Sequence, residues 1–284
     1  MSHYLFMADP ELLFDSSFQR KRVNRASKQN LEPHFLSNWI AKEMSERLKD
    51  LTRDFQTAFI NGDFFDHSIF ETSKINTGYF AGESKKNDIA CTPLALPYGQ
   101  NSTDLFLSLT QLHRLNDPKG FLIQALYSLK PDGFFLCAFP GGNSLAELET
   151  CLSEVENEIR GGISPRILPM LQKQDVAALM QNTGFALPVI DNEKITVTYS
   201  SLKDLIRDIR LIGGGNSLNA RNTSYVGRDF FERVETLYFK RYSDGDGRIP
   251  VTIDIIFASG WAPHSSQQKP APRGSAEISL KDVL

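Results

Sequence analysis

The chain has 284 residues, 41% of them apolar and 23% charged, which is ample for one large domain or two small ones around a sizeable core. A formal charge of −3 supplies no global basic field for nucleic acid. The three cysteines, Cys91, Cys137 and Cys151, stand far apart with no CxxC pair, which argues against a disulfide framework or a zinc site and fits a reducing compartment.

The start, "MSHYLFMADPELLFD", carries Asp9, Glu11 and Asp15 and does not look like a signal peptide. No apolar run approaches the roughly 18 residues needed to span a bilayer. The expectation is a soluble cytoplasmic protein. Residues 1–54 read as helical: "HFLSNWIAKEMSERLKDL" sets Phe35, Trp39, Met44, Leu48 and Leu51 close to one stripe. The basic run "QRKRVNR", Gln19 to Arg25, reads as a solvated helix face. Short apolar runs follow: "FQTAFI" (55–60), "KINTGYF" (74–80), "DIACT" (88–92) and "DLFLSL" (104–109). Asn116 and Asp117, with Pro118, start a helix through Phe121, Leu122, Ala125, Leu126 and Leu129 that Pro131-Asp132-Gly133 stops. "FFLCAFPGG" is then a strand, and Ser144 with Glu147 reads as the capping box of the next helix. "DVAALMQNTGF" predicts a helix, "KITVTY" a strand, "SLKDLIRDIRLIG" and "RDFFERVETLYFKRY" two more helices, and "PVTIDIIFASGWA" a long final strand.

Alternating strands and helices predict an α/β fold with a parallel sheet covered on both faces, binding ligands outside the carboxyl ends of its strands. The division that follows is an N-terminal helical segment (1–54), a main domain (55–262) with a helical insertion or lid within 160–250, and a C-terminal tail (263–284). The loop "AFINGDFFDHS" (58–68) stands where such folds carry a ligand loop, yet it holds one glycine, Gly62, and two phenylalanines.

Four segments carry a resemblance: "FDSSFQRKRVNRA" (14–26); "LHRLND" with "LKPDG" (112–117, 129–133); "FPGGNSLAELETCL" through "GGISPRILP" (139–169); and "GWAPHSSQQKPAPRGSA" (260–276). The chain resembles class I S-adenosylmethionine (SAM) methyltransferases. More narrowly it is similar to the mitochondrial NADH dehydrogenase (complex I) assembly factor 5 family and its alphaproteobacterial relatives, cousins of the biotin-pathway malonyl-carrier-protein methyltransferase. The resemblance implies a Rossmann-like methyltransferase fold: a mostly parallel seven-stranded sheet with one antiparallel strand, helices on both faces and N-terminal helices.

The resemblance also implies SAM as cofactor, held at a glycine loop after the first strand, an acid ending the second and an Asp after the third. Here the sequence departs from the pattern three times. Asn61, Gly62 and Asp63 occupy the loop, Tyr79 stands for the second-strand acid, and Thr92 or Cys91 stands for the Asp. Two lost charged hydrogen bonds, at about 1.5–3 kcal/mol each, weaken binding by about two to four powers of ten. The expectation is an eroded cofactor site. The alternative is a register shift in which Asp63 or Asp66 supplies an acid and Gly78 or Gly82 the close backbone approach.

What the family implies is complex I assembly or maturation, with protein-arginine modification of a complex I subunit as the partner reaction. The rival readings are an active SAM-dependent methyltransferase on a small-molecule or carrier-protein substrate, and a non-catalytic binding module. His113, after the fourth strand, is the one catalytic candidate, and no spacing of the five histidines suggests a metal site. "LIGGGNSLNARN" (211–222) reads as a lid or turn, since it follows a helix and lacks the ending of a phosphate loop. Arg20, Arg22, Arg25 and Arg273 either dock an acidic protein surface or staple the termini to the domain; Arg221 is a further candidate for an acidic partner.

Overall fold

In a computed structural model, residues 12–29, 32–71, 74–84, 87–243 and 245–268 are described. The apolar runs become seven strands: β1 Phe55–Asn61, β2 Ile75–Gly82, β3 Ile89–Ala90, β4 Thr103–Leu109, β5 Leu129–Gly141, β6 Ala186–Tyr199 and β7 Ile249–Trp261. They form one sheet in the order β3-β2-β1-β4-β5-β7-β6. Pairing is parallel except at β7, which runs antiparallel to both β5 and β6. The central strands β1 and β4 are buried almost throughout, as a sheet covered on both faces requires, whereas the edge strand β6 alternates. The expected Rossmann-like fold class is the one observed.

The helices are α1 Ser16–Gln29, α2 Phe35–Lys49, α3 Ser68–Glu71, α4 Pro118–Ser128, α5 Ala146–Arg160, α6 Lys173–Thr183, α7 Leu202–Leu211 and α8 Gly227–Tyr242. One face of the sheet packs against Ile40, Met44 and Leu48 of α2, Leu148 of α5 and Val234 and Tyr238 of α8. The other packs Phe106 and Phe135 against Phe121, Leu122 and Ala125 of α4 and Val176 and Met180 of α6. Each fully buried Val, Leu, Ile, Met or Phe among them contributes about 1.5–3 kcal/mol. Within 160–250, α6, β6 and α8 therefore belong to the layers of the sheet, and α7 sits between α1 and β6.

Two local expectations change in the structure. Asp117 caps α4, accepting from Gly120 N at 2.7 Å, but Asn116 instead binds the backbone N and O of Phe14 at 2.8 and 2.9 Å. No capping box forms at Ser144. Its hydroxyl donates to Gly141 O (2.7 Å) and accepts from Asp254 N (2.9 Å), while Glu147 reaches Thr252. Both side chains anchor α5 to β7, a tertiary option that local sequence does not reveal. The glycine-rich stretch after α7 packs on α1: Gly213 has φ +70°, a Cβ there would lie 2.9 Å from Val23 Cγ2, and Arg22 donates to Gly214 O at 2.7 Å. Arg273 lies outside the described residues.

Candidate functional site

The carboxyl ends of β1, β2 and β4 converge where the fold binds its ligands, and the loop after β1 occupies that place. A Cβ on Gly62 would lie 2.9 Å from Leu109 Cβ and 3.1 Å from Leu109 O, so glycine is required there for the close approach of β4. Phe65 turns into the core, with its ring 5.9 Å from Phe70 and 6.1 Å from Phe80. Phe64 takes φ +68°, a conformation uncommon for a bulky residue, and its carbonyl accepts from His34 N at 2.7 Å. Asp66 N donates to Asn38 Oδ1 at 2.7 Å. The loop is thus tied to the start of α2.

Asp63 is buried in a polar cluster built from three loops. Its carboxylate accepts from Ser84 N (2.8 Å), Asn87 Nδ2 (2.9 Å), Glu83 N (3.4 Å) and Gln111 Nε2 (3.4 Å). Arg114 lies 3.8 Å from Asp63 and 3.7 Å from Glu83, and donates to Gln111 Oε1 at 2.7 Å. Burial pushes the Glu83 carboxyl above its ordinary range, Arg114 pulls it back and Asp63 adds to the rise. Gln111, His113 and Arg114 sit on one turn after β4, a 3-10 helix over Leu112–Arg114.

The other expected cofactor positions are scattered around this cluster. Asn61, fully buried at the end of β1, has its Nδ2 3.4 Å from Ala81 O and 3.6 Å from Cys91 Sγ, while its Oδ1 is without a hydrogen-bond partner. Burial lifts the Cys91 thiol to about 11. Tyr79 is not at the end of its strand: β2 runs on to Gly82, and Tyr79 is 43% exposed with its ring 5.9 Å from Phe59. The acid that follows β2 is Glu83. Thr92 closes a small turn, bridging to Ala95 and accepting from Leu94 N at 3.3 Å.

These residues do not fit a nucleoside cofactor held in the manner of the superfamily. Glu83 stands at the ribose position, but its carboxylate is buried against Arg114. The space a side chain would need at Gly82 is filled by Asn87, Asp63 Oδ1 and Gly62 O. The donors and acceptors at this end of the sheet mostly satisfy one another.

His113 faces elsewhere, lining a cavity of about 550 Å³ between the β5–β7 side of the sheet and the cover made by α1, α7 and the segment after it. Burial holds its imidazole down at about 3, with Arg114 adding to the effect, and Nδ1 has no partner. The same cavity wall carries His34, Asp208 and Tyr199. His34 Nδ1 accepts from Leu36 N at 3.3 Å, and its Nε2 lies 3.2 Å from Asp208 Oδ1. Tyr199 donates to Asp208 Oδ2 at 2.7 Å. Against the opposing effect of burial, these two partners hold the Asp208 carboxyl below its ordinary value.

No protein-family model matches the chain. The rat protein named arginine-hydroxylase NDUFAF5, mitochondrial, is 35% identical over 288 residues, which is 95% of this chain and 83% of that protein. The chain belongs to the arginine-hydroxylase NDUFAF5 family. The malonyl-[acyl-carrier protein] O-methyltransferase of Laribacter hongkongensis is 28% identical over 176 residues, 62% of this chain and 57% of its own length. Among solved structures, the YcgJ protein of Bacillus subtilis superposes with a TM-score of 0.50 at 12% identity, covering 82% of this chain and all of that one, which supports the fold alone. The expected cytoplasmic location is corrected by these relatives, because the NDUFAF5 proteins are named as mitochondrial. Among the described residues, no helix is long and apolar enough to cross a membrane, and no cluster of three His, Cys, Asp or Glu side chains could hold a metal ion.

Glu83, Arg114 and Gln111 are the site residues that sequence reasoning missed. The signal for Glu83 was present in "TGYFAGES", had the strand been carried through to Gly82. His34, Asp208 and Tyr199 had none, since His34 precedes β1 while Tyr199 and Asp208 lie on β6 and α7, much later in the chain.

Proposed function

We propose that this chain is a maturation factor for respiratory complex I, acting on an arginine of a newly made quinone-module subunit, and that it is not a methyltransferase using conventionally bound SAM. The observation that carries the reading is the likeness to a named arginine hydroxylase across 95% of the chain. The Asp63–Glu83–Arg114 cluster supports its second half, because seating a ribose on Glu83 requires breaking buried charge contacts at 3.7–3.8 Å.

The test has two arms. Complex I is purified from cells with and without the gene, and its subunits are mapped by peptide mass spectrometry for an arginine carrying one added oxygen. The expected result is a modified arginine that disappears on deletion, together with lower NADH dehydrogenase activity. In the second arm, SAM and S-adenosylhomocysteine are titrated calorimetrically into the protein, with no heat expected at millimolar ligand. An unmodified subunit in the parent strain overturns the arginine reading. Micromolar SAM binding with methyl transfer to a carrier-protein thioester restores the methyltransferase reading.

A further inference from the structure

The cavity behind His113 does not stand alone. Its walls are apolar, formed by side chains such as Leu148, Leu152, Leu205, Ile209, Val251 and Ile253. A second cavity of about 460 Å³ adjoins it and is lined by Lys21, Arg22 and Arg25 of α1 and by Arg210 of α7. The two share Phe18, Arg22, Arg210 and Gly214, so apolar space opens directly onto a cationic vestibule.

Arg22 stands at the junction. One Nη donates to Gly214 O at 2.7 Å, while Nε is buried without a hydrogen-bond partner. Burial and the nearby cations Arg210, Arg25 and Arg221 all disfavour its charge. Among the described residues no carboxylate pairs with Lys21, Arg22, Arg25 or Arg210, whereas Arg221 is paired with Asp15 at 3.0 Å. The acids nearby are already engaged, Asp208 by His34 and Tyr199, and Glu156 by Arg166 and Ser164. Among the described residues, positive charge with no paired carboxylate thus adjoins a large apolar space. A substrate guanidinium would be repelled here.

We propose that the joined cavities bind a single-chain anionic amphiphile, with its hydrocarbon chain in the apolar cavity and its carboxylate or phosphate head at Arg22, Arg25 and Arg210. Guanidinium groups suit either head, since both offer paired oxygens. The hydrocarbon supplies affinity in proportion to its length, about fourfold per buried methylene. The inference rests on the cavities and not on the proposed reaction, so either can fail alone.

The test is calorimetry of the full chain with decanoate, dodecanoate, dodecyl phosphate and dodecanol, each kept below its micellar concentration. Dodecanoate is expected to bind about tenfold or more tighter than decanoate, and dodecanol more weakly than either dodecyl anion. Comparing dodecanoate with dodecyl phosphate identifies the preferred head. Arg210→Glu and Arg25→Glu change exposed side chains. Each is expected to weaken dodecanoate binding by about tenfold and leave dodecanol unchanged. Absence of binding by every monomeric amphiphile overturns the proposal. So does equal binding of dodecanol and dodecanoate with neither variant having an effect, or binding only to vesicles of anionic phospholipid, which would point to a membrane surface.

Discussion

Removing the cation from the Asp63–Glu83 cluster tests directly whether this end of the sheet is held closed by charge. Arg114 lies within 4 Å of both carboxylates, and the three side chains are 9% exposed or less. In Arg114→Met, Asp63 keeps its hydrogen bonds from Ser84 and Asn87, so the loss falls mainly on Glu83. Breaking a buried pair from one side costs about 3–5 kcal/mol. The sign of the pH dependence follows from the Glu83 carboxyl, which burial already raises above its ordinary 4.5 and which Arg114 pulls down. Folded Glu83 holds its proton to higher pH than the unfolded chain does, so stability falls as pH rises through its folded pKa. Without Arg114 that window widens upward. Urea unfolding followed by tryptophan fluorescence should show a loss of about 3–5 kcal/mol at pH 7 and a smaller one at pH 5. The double variant Glu83→Gln, Arg114→Met should recover much of it. A loss under about 1 kcal/mol at pH 7, the size of an exposed pair, or an equal loss at both pH values, would refute the reasoning.

Three further outcomes are expected. His113, held down at about 3 by burial, should show no imidazole titration by NMR between pH 5 and 8; because the unfolded chain binds its proton first, its contribution to stability should be lost as pH falls below about 6.5, and His113→Phe should remove that slope. Burial opposes ionisation of Glu156, but Arg166 and Ser164 outweigh it and hold the carboxyl at about 2, so its stabilisation is present above 4.5 and is lost as pH falls toward 2. Glu156→Gln should therefore cost about 1–3 kcal/mol at pH 7 by urea unfolding and almost nothing near pH 2. Gly213→Ala should lower stability by more than about 1 kcal/mol, because an L residue at φ +70° is strained and its Cβ would press on Val23.

Much of the architecture was legible because it depends on short-range pattern. The period of apolar residues announced β1, β4 and β5 and the helices between them, and Asp117-Pro118 marked the start of α4 as a cap should. Ser144 and Glu147 show where local reading stops: a capping box and a tertiary anchor use the same side chains, and the partner on β7 lies more than a hundred residues away. Tyr79 shows another limit, because the end of a buried strand is set by its pairing with β1 and not by its own residues.

By itself the amino-acid sequence determined the element order, the parallel α/β class and the departure from a glycine-rich loop at Asn61–Phe65, since backbone preference and apolar period act over a few residues. The tertiary structure alone decided that Asp63 is engaged by Ser84, Asn87 and Arg114, that His113 belongs to a different cavity, and that Arg22 and Arg210 meet at one vestibule. Those facts depend on charge and burial between residues far apart in the chain, where dielectric and distance are set by the packing of the whole domain.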